Sequence, residues 1–229
     1  MTITAIILSH YKQREGNLKR IVDDILGGTV VPQEIIIFID NPDIVFTDKR
    51  VTIIRSSRSF LPGIRFMLGT MCNTDYCFFI DDDLSVGKRT LENFVDYASI
   101  YSFDIFGLEG SILGNTETPY SNDTPIKREN RNQLISVDIV IRTYFVPVYL
   151  LIKGMELRLG YLEFPNESLD DVLLCLGNKY LSHGKNWVIP VDKETDLVEL
   201  PDGGVGQSFN VEHYGNRNKV CRVLMDIYE

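Results

Sequence analysis

Through its first hundred residues the chain alternates short apolar runs with stretches in which apolar residues recur every third or fourth position. Ile3–Leu8, Glu34–Ile39, Val51–Ile54 and Tyr76–Ile80 are the runs, too short for helices and therefore expected to be strands. The last is aromatic and uncharged throughout, which predicts burial on both faces. Leu18, Ile21, Val22 and Ile25 fall at helical spacing and predict a helix over Glu15–Leu26, closed by Gly27-Gly28. Leu61–Met71 and Arg89–Ser99 read as further helices. Strands alternating with helices in this way predict an α/β fold, a Rossmann-like, mainly parallel sheet flanked by helices.

The second half is less regular. Phe103–Leu108 and Ile135–Ile141 read as strands, and Val148–Leu159, Leu169–Leu181 and Lys219–Tyr228 as helices. Gly114–Asn132 is polar and reads as a long loop, and Asp202–Asn210 is glycine-rich and expected to be flexible. No repeat or linker interrupts the 229 residues. One domain is expected over 1–229, with a nucleotide-type half over 1–100 and a mixed half over 101–229.

Composition changes this picture little. The net charge of -9 argues against a dedicated nucleic-acid binder. The Ile3–Leu8 stretch lacks the basic flank of a secretory signal. The apolar region from Leu134 to Ile152 is broken by Asp138, Arg142 and Pro147, so no membrane insertion is expected. Cys72, Cys77, Cys175 and Cys221 show no CxxC pairing and read as free thiols, in keeping with a cytoplasmic protein.

The chemistry concentrates at Asp81-Asp82-Asp83, where the Tyr76–Ile80 strand ends. The carboxyl ends of strands are where open α/β sheets bind ligands, and three adjacent carboxylates are most easily tolerated around a divalent cation. In an extended chain Asp81 and Asp83 point one way and Asp82 the other until the chain turns. Oxygen ligands suit Mg²⁺ or Mn²⁺, and a metal held by one or two carboxylates keeps positions open for phosphate oxygens. Three other readings compete. The run could be a solvated turn capping the next helix, or a phosphatase-type pocket, although the first strand ends in Ser9-His10 rather than an aspartate. It could also be a calcium loop: Asp81, Asp83, Ser85 and Glu92 stand at the first, third, fifth and twelfth places of an EF-hand, but the sixth-place glycine is Val86.

The order of parts resembles the GT-A nucleotide-sugar glycosyltransferases. A first strand runs into Ser9-His10-Tyr11-Lys12-Gln13-Arg14, a second ends at Asp40, and a fourth ends in the three aspartates, placed like the DxD motif of that group. Ile64-Arg65-Phe66 and Glu167-Ser168-Leu169-Asp170-Asp171-Val172-Leu173-Leu174 look most like exostosin-type (GT64-like) and family 2-like members. The resemblance implies a glycosyltransferase with a GT-A fold that uses Mn²⁺ or Mg²⁺ and a nucleotide-sugar donor, a UDP-sugar being favoured. It implies that Tyr11 and Arg14 touch the base and phosphates, that Asp40 accepts a hydrogen bond from base or ribose, and that Arg65 neutralises the diphosphate. Asp81 and Asp82 would address the ribose and a metal-bound water, and Asp83, with Asp81, the metal itself. Asp171 or its neighbour Asp170 would be the acid–base residue. His213, after the Gly203–Gly206 segment, would complete the metal site, a role that suits Mn²⁺ better than Mg²⁺. Arg217 would reach the diphosphate.

The Gly114–Asn132 loop, with Lys127, Arg128 and Arg131, is expected to shape the acceptor side, where a glycan, a metabolite or modified nucleic acid all remain open. Two rival classes stand beside this reading. A nucleotidyltransferase would want a glycine-rich basic loop after the first strand, where only Lys12 and Arg14 stand; a calcium-binding module rests on the EF-hand spacing alone. The lack of GxGxxG after the first strand argues against a dinucleotide oxidoreductase, and Gly203–Gly206 comes too late to supply it.

Overall fold

The computed structural model describes residues 1–60, 62–115, 117–128, 132–160, 169–206 and 212–228. An eight-stranded sheet runs through the molecule in the order β3-β2-β1-β4-β11-β6-β12-β9. Its strands are β1 (Ile3–Ser9), β2 (Glu34–Ile39), β3 (Thr52–Arg55), β4 (Tyr76–Asp81), β6 (Ile105–Gly107), β9 (Ile135–Val137), β11 (Thr143–Pro147) and β12 (Asn186–Val188). The first four are parallel, whereas β11 lies antiparallel to both β4 and β6. A ribbon of β5 (Leu84–Val86) and β13 (Leu197–Glu199) and a sheet of β7 (Glu109–Ile112), β8 (Thr124–Ile126) and β10 (Ile139–Ile141) complete the strands.

Period-two alternation along β1 and β4 builds two cores at once. Ile6, Cys77 and Phe79 face one side, against α2 (Ile64–Thr70), α4 (Val148–Gly160), α5 (Asp170–Leu181) and α6 (Glu212–Tyr228). Ala5, Ile7, Phe78 and Ile80 face the other, against α1 (Glu15–Leu26) and α3 (Thr90–Ile100). A strand buried on both faces leaves no position for a polar residue, which is why the run reaches Asp81 uncharged. Among the described residues no helix is long and apolar enough to cross a membrane, and all four cysteines are free thiols.

The expected elements of residues 1–100 form within a few residues of their predicted bounds. The second half departs further. Ile135–Ile141 is not one strand but two in different sheets: Asp138 breaks it, its carboxylate accepting the Leu113 N–H at 2.8 Å and the Lys179 ammonium at 3.0 Å. The Gly114–Asn132 loop contains β8. Strand β11 lies inside an apolar stretch that runs straight into α4 and offers no turn signal. Helix α6 starts at Glu212, not Lys219. The calcium-loop reading fails, because Ser85 donates to Asp24 at 2.8 Å and the Glu92 carboxylate takes Thr29 and Arg89, away from the aspartates.

The chain passes from β1 outward through β2 and β3, then returns to place β4 on the opposite side of β1. The loops after β1 and β4 therefore diverge, and a crevice opens at the carboxyl end of that pair. Gly69 seats α2 over β4: a Cβ there would lie 2.5 Å from Leu151 Cδ1 and 3.0 Å from Phe79 Cζ. Gly69→Val is expected to cost about 1–3 kcal/mol, the usual penalty of overpacking a core. Urea unfolding of the two proteins checks this, and an unchanged midpoint would show that α2 is free to shift.

Candidate active site

A cleft of about 370 Å³ occupies that crevice, and all eleven residues singled out from the sequence line it. The loop after β1 brings Tyr11 and Arg14, β2 ends at Asp40, α2 brings Arg65, and β4 runs into the aspartates. The first turns of α5 and α6 supply Asp170, Asp171 and His213, with Arg217 one turn further along α6. Glu167 and Ser168, part of the acidic-pair motif, lie outside the described residues, as does Arg131.

Carboxylates and guanidiniums interleave across the floor. Arg65 Nη1 meets Asp81 Oδ1 at 2.9 Å and its Nε faces Asp170 Oδ2 at 3.4 Å. Arg14 Nη1 meets Asp82 Oδ1 at 2.8 Å, and its Nη2 lies 3.2 Å from Asp83 Oδ2. Arg217 Nη1 donates to Asp171 Oδ2 at 2.8 Å and to the Tyr120 hydroxyl at 3.0 Å. The expected alternation of the aspartates thus ends at Asp81: the chain turns, and Asp82 and Asp83 share Arg14.

Among the described residues the lining carries six carboxylates against four guanidiniums, an excess of two negative charges. One divalent cation would balance it. Among the described residues no three acidic, histidine or cysteine side chains are gathered so as to hold a metal alone. Asp82 Oδ2, however, is buried without a hydrogen-bond partner. Burial pushes the Asp82 carboxyl up to about 6, with Arg14 holding it down and Asp81 and Asp83 pushing it further up. A hard-oxygen donor set with an orphaned acceptor fits a divalent cation that takes its remaining ligands from water and a bound substrate.

Asp40 is buried, its Oδ1 2.8 Å from His10 Nδ1 and its Oδ2 accepting the Phe60 N–H at 3.2 Å. His10 thus stands behind Asp40, a contact that local sequence did not reveal. Asp170 and Asp171 lie in the first turn of α5, where the helix dipole favours negative charge. Asp171 Oδ1 accepts the Val172 N–H at 2.9 Å. Burial pushes the Asp171 carboxyl up while Arg217 opposes it. Tyr144, buried beneath the Arg65 guanidinium at 5.8 Å from ring to charge, and Tyr120, under Arg217 at 4.8 Å, were not singled out. Neither lies in a pattern that separates it from a core aromatic. Arg142 also lines the cleft; its signal was visible as one of two charges, with Asp138, that break an apolar region.

His213 is not a loop histidine. It lies in the first turn of α6, edge-on to Tyr214 with ring centroids 5.3 Å apart. Burial, then the charge of Arg217, push its imidazole down to about 4, with Asp170 pulling the other way. It is therefore neutral at pH 7, the form that offers a lone pair to a cation. The unfolded chain binds a proton on this histidine near 6.5 and the folded protein not until about 4. The stability it contributes is thus full above 6.5 and lost as pH falls through that window. His213→Gln is expected to flatten the loss of stability between pH 6.5 and 4. Denaturant unfolding at several pH values checks this; parallel profiles for the two proteins would place the imidazole in solvent.

No protein-family model matches the chain, and no curated protein matches it in sequence. Solved structures do match. The crystal structure of GalNAc-T7 with UDP, GalNAc and Mn²⁺ superposes with a TM-score of 0.67 over 99% of this chain at 12% identity. That of S. aureus TarS 1-349 in complex with UDP-GlcNAc does so with a TM-score of 0.64 over 98%, also at 12% identity. The chain spans 49% of the first structure's length and 65% of the second's. Both are GT-A type glycosyltransferases, and the fold of this chain is the GT-A fold.

Proposed function

We propose that the protein is a metal-dependent glycosyltransferase that moves a sugar from a nucleotide diphospho-sugar, a UDP-sugar being favoured, to an acceptor hydroxyl. The observation that carries this reading is the interleaved Asp–Arg cleft at the switch point of a GT-A sheet. The loop after β1 is a single turn with Arg14 folded onto the aspartates, which leaves a nucleotidyltransferase without its phosphate-binding loop.

Asp83 and Asp81, with His213, would hold Mn²⁺ or Mg²⁺, which supplies Lewis-acid stabilisation of the departing diphosphate. Arg65 holds Asp81 toward the cleft, and Arg14 does so for Asp82 and Asp83. The free oxygen of Asp82 is a ready acceptor for a ribose hydroxyl, and Tyr11 and Asp40 lie on the side of β1 that suits the base. Asp171 rather than Asp170 is assigned the acceptor proton. Asp170 faces Arg65 on the donor side, whereas Asp171 pairs with Arg217 beside Tyr120, and a carboxyl raised by burial is a stronger base.

Tyr120 and Tyr214, with ring centroids 6.0 Å apart, line the same side and suit the apolar face of a sugar. Arg128 is turned inward onto Glu109, Asp196 and Glu199, which weakens the case for an acidic glycan or nucleic acid as acceptor. The four thiols support a cytoplasmic location.

UDP with Mn²⁺ at a hundredfold excess over its dissociation constant is expected to raise Tm by about 5–10 °C. Asp83→Ala is expected to abolish the shift. An equal shift without metal, or one untouched by Asp83→Ala, would overturn the metal–diphosphate site. Asp171→Asn is expected to keep UDP–Mn²⁺ binding and to lower kcat at least a hundredfold on a panel of glycan and small-sugar acceptors. Turnover at the wild-type rate would move the base elsewhere.

A further inference from the structure

Among the described residues four arginines line the cleft, and three of them are buried in its floor. The side chains of Arg14, Arg65 and Arg217 are 9%, 9% and 5% exposed, each bound to aspartates on the floor. Arg142 is 30% exposed. It is held from behind by Glu199, with Nη1 at 2.9 Å from Oε1 and Nη2 at 2.9 Å from Oε2. Its contact with Asp83 Oδ1 is longer, at 3.4 Å.

Three features of the fold put this guanidinium there. β11 runs antiparallel to β4 with Thr143 opposite Ile80, so the residue before Thr143 arrives beside the aspartates. The backbone of Arg142 is left-handed, with φ at 63°, a conformation that costs an ordinary residue energy and turns the chain sharply between β10 and β11. Glu199 is brought alongside by the β13–β5 ribbon, whose register sets it opposite Leu84, and the Leu200 N–H donates to the Asp83 carbonyl at 2.8 Å. The bidentate grip on one side and the weak contact on the other describe a side chain anchored at Glu199 and only resting on Asp83.

We propose that Arg142 is a diphosphate-binding residue that covers Asp83 in the free protein and releases it when that carboxylate takes a divalent cation. Released, its planar fork stays fixed on Glu199 with an edge toward the cleft, where it binds the diphosphate of the donor. Glu199 is then a positioning residue, acting through Arg142. This rests on the donor reading above and adds to it a protein group that recognises the diphosphate beside the metal.

The test measures two affinities by calorimetry on the whole chain: Mn²⁺ alone, and inorganic pyrophosphate or UDP with Mn²⁺ saturating. Arg142→Gly removes the guanidinium and relieves the left-handed backbone, so the fold is not put at risk. It is expected to tighten Mn²⁺ by about tenfold, through loss of a competing cation, and to weaken pyrophosphate and UDP by about tenfold, through loss of a charge-assisted fork. Arg142→Lys is expected to fall between the two proteins on both measures. Glu199→Gln leaves Arg142 between Asp83 at 3.4 Å and Glu109 at 3.6 Å and is expected to weaken Mn²⁺ through a closer hold on Asp83, the opposite sign, which a merely structural role would not produce. Unchanged pyrophosphate and UDP binding in Arg142→Gly would overturn the assignment with the donor reading intact. Failure of wild-type protein to bind either ligand with Mn²⁺ would overturn both.

Discussion

The cleft depends on the buried guanidinium of Arg14. Its Nη1 and Nη2 reach Asp82 and Asp83 beyond the end of β4, Nε donates to the Asp202 carbonyl at 3.0 Å, and Nη2 also donates to the Val205 carbonyl. One planar group thus joins the loop after β1, the turn after β4 and the glycine-rich segment that leads toward α6. Gly203 and Gly204, both at positive φ, let that segment bring its carbonyls to the arginine. Asn17, two residues into α1, adds a second tie, donating to the carbonyls of Asp82 at 2.9 Å and Pro201 at 2.8 Å. A buried pair of this kind adds little net stability against an apolar substitute. What it provides is arrangement: with Arg14 removed, Asp82 would be left buried and uncompensated beside Asp83, which would keep only its longer contact with Arg142, and an uncompensated buried charge typically costs about 3–5 kcal/mol.

The parallel strands supply the ground on which that arrangement stands. Because β4 is sealed on one face by α2, α4 and α5 and on the other by α1 and α3, its end cannot move without disturbing both cores. The aspartates therefore project from a rigid edge into an open crevice, and each is met by an arginine from a different part of the chain. Preorganisation of this type lets charge be held before a ligand arrives, so little reorganisation is left to oppose binding. The residual negative charge is the part left for a cation.

Much of this could be read along the chain, and the boundary is physical. Strand β1, helix α1 and strand β2 stand in the sequence because burial on both faces, or on one stripe, imposes periods that local pattern shows. The aspartates were visible for the same reason: charge stopping an apolar run is a local event. Asp138 was noted as an interruption of an apolar region, yet its effect, turning the chain from one sheet to another, required Leu113 and Lys179 as partners. Arg142 is the sharper case. Its partners Asp83 and Glu199 lie 59 and 57 residues away, and it takes the register of β11 on β4 and of β13 on β5 to bring them together. His213 was found by its neighbours and misplaced in context, because the first turns of α6 are polar and carry little apolar period.

The four cations that line the cleft among the described residues are arginines, and burial makes that choice consequential. A lysine at the position of Arg65 or Arg217 would face the full desolvation of a compact ammonium and would tend to shed its proton. A guanidinium keeps its charge, and its fork lets one side chain touch two acceptors, as Arg65 does with Asp81 through Nη1 and Asp170 through Nε. The cationic part of the lattice is therefore indifferent to pH across the physiological range. Titration is left to the groups that the lattice holds under tension, among them Asp82, raised to about 6, and His213, lowered to about 4. Near pH 7 the first is ionised and accepts hydrogen bonds, and the second is neutral, the state in which an imidazole offers its lone pair to a metal ion.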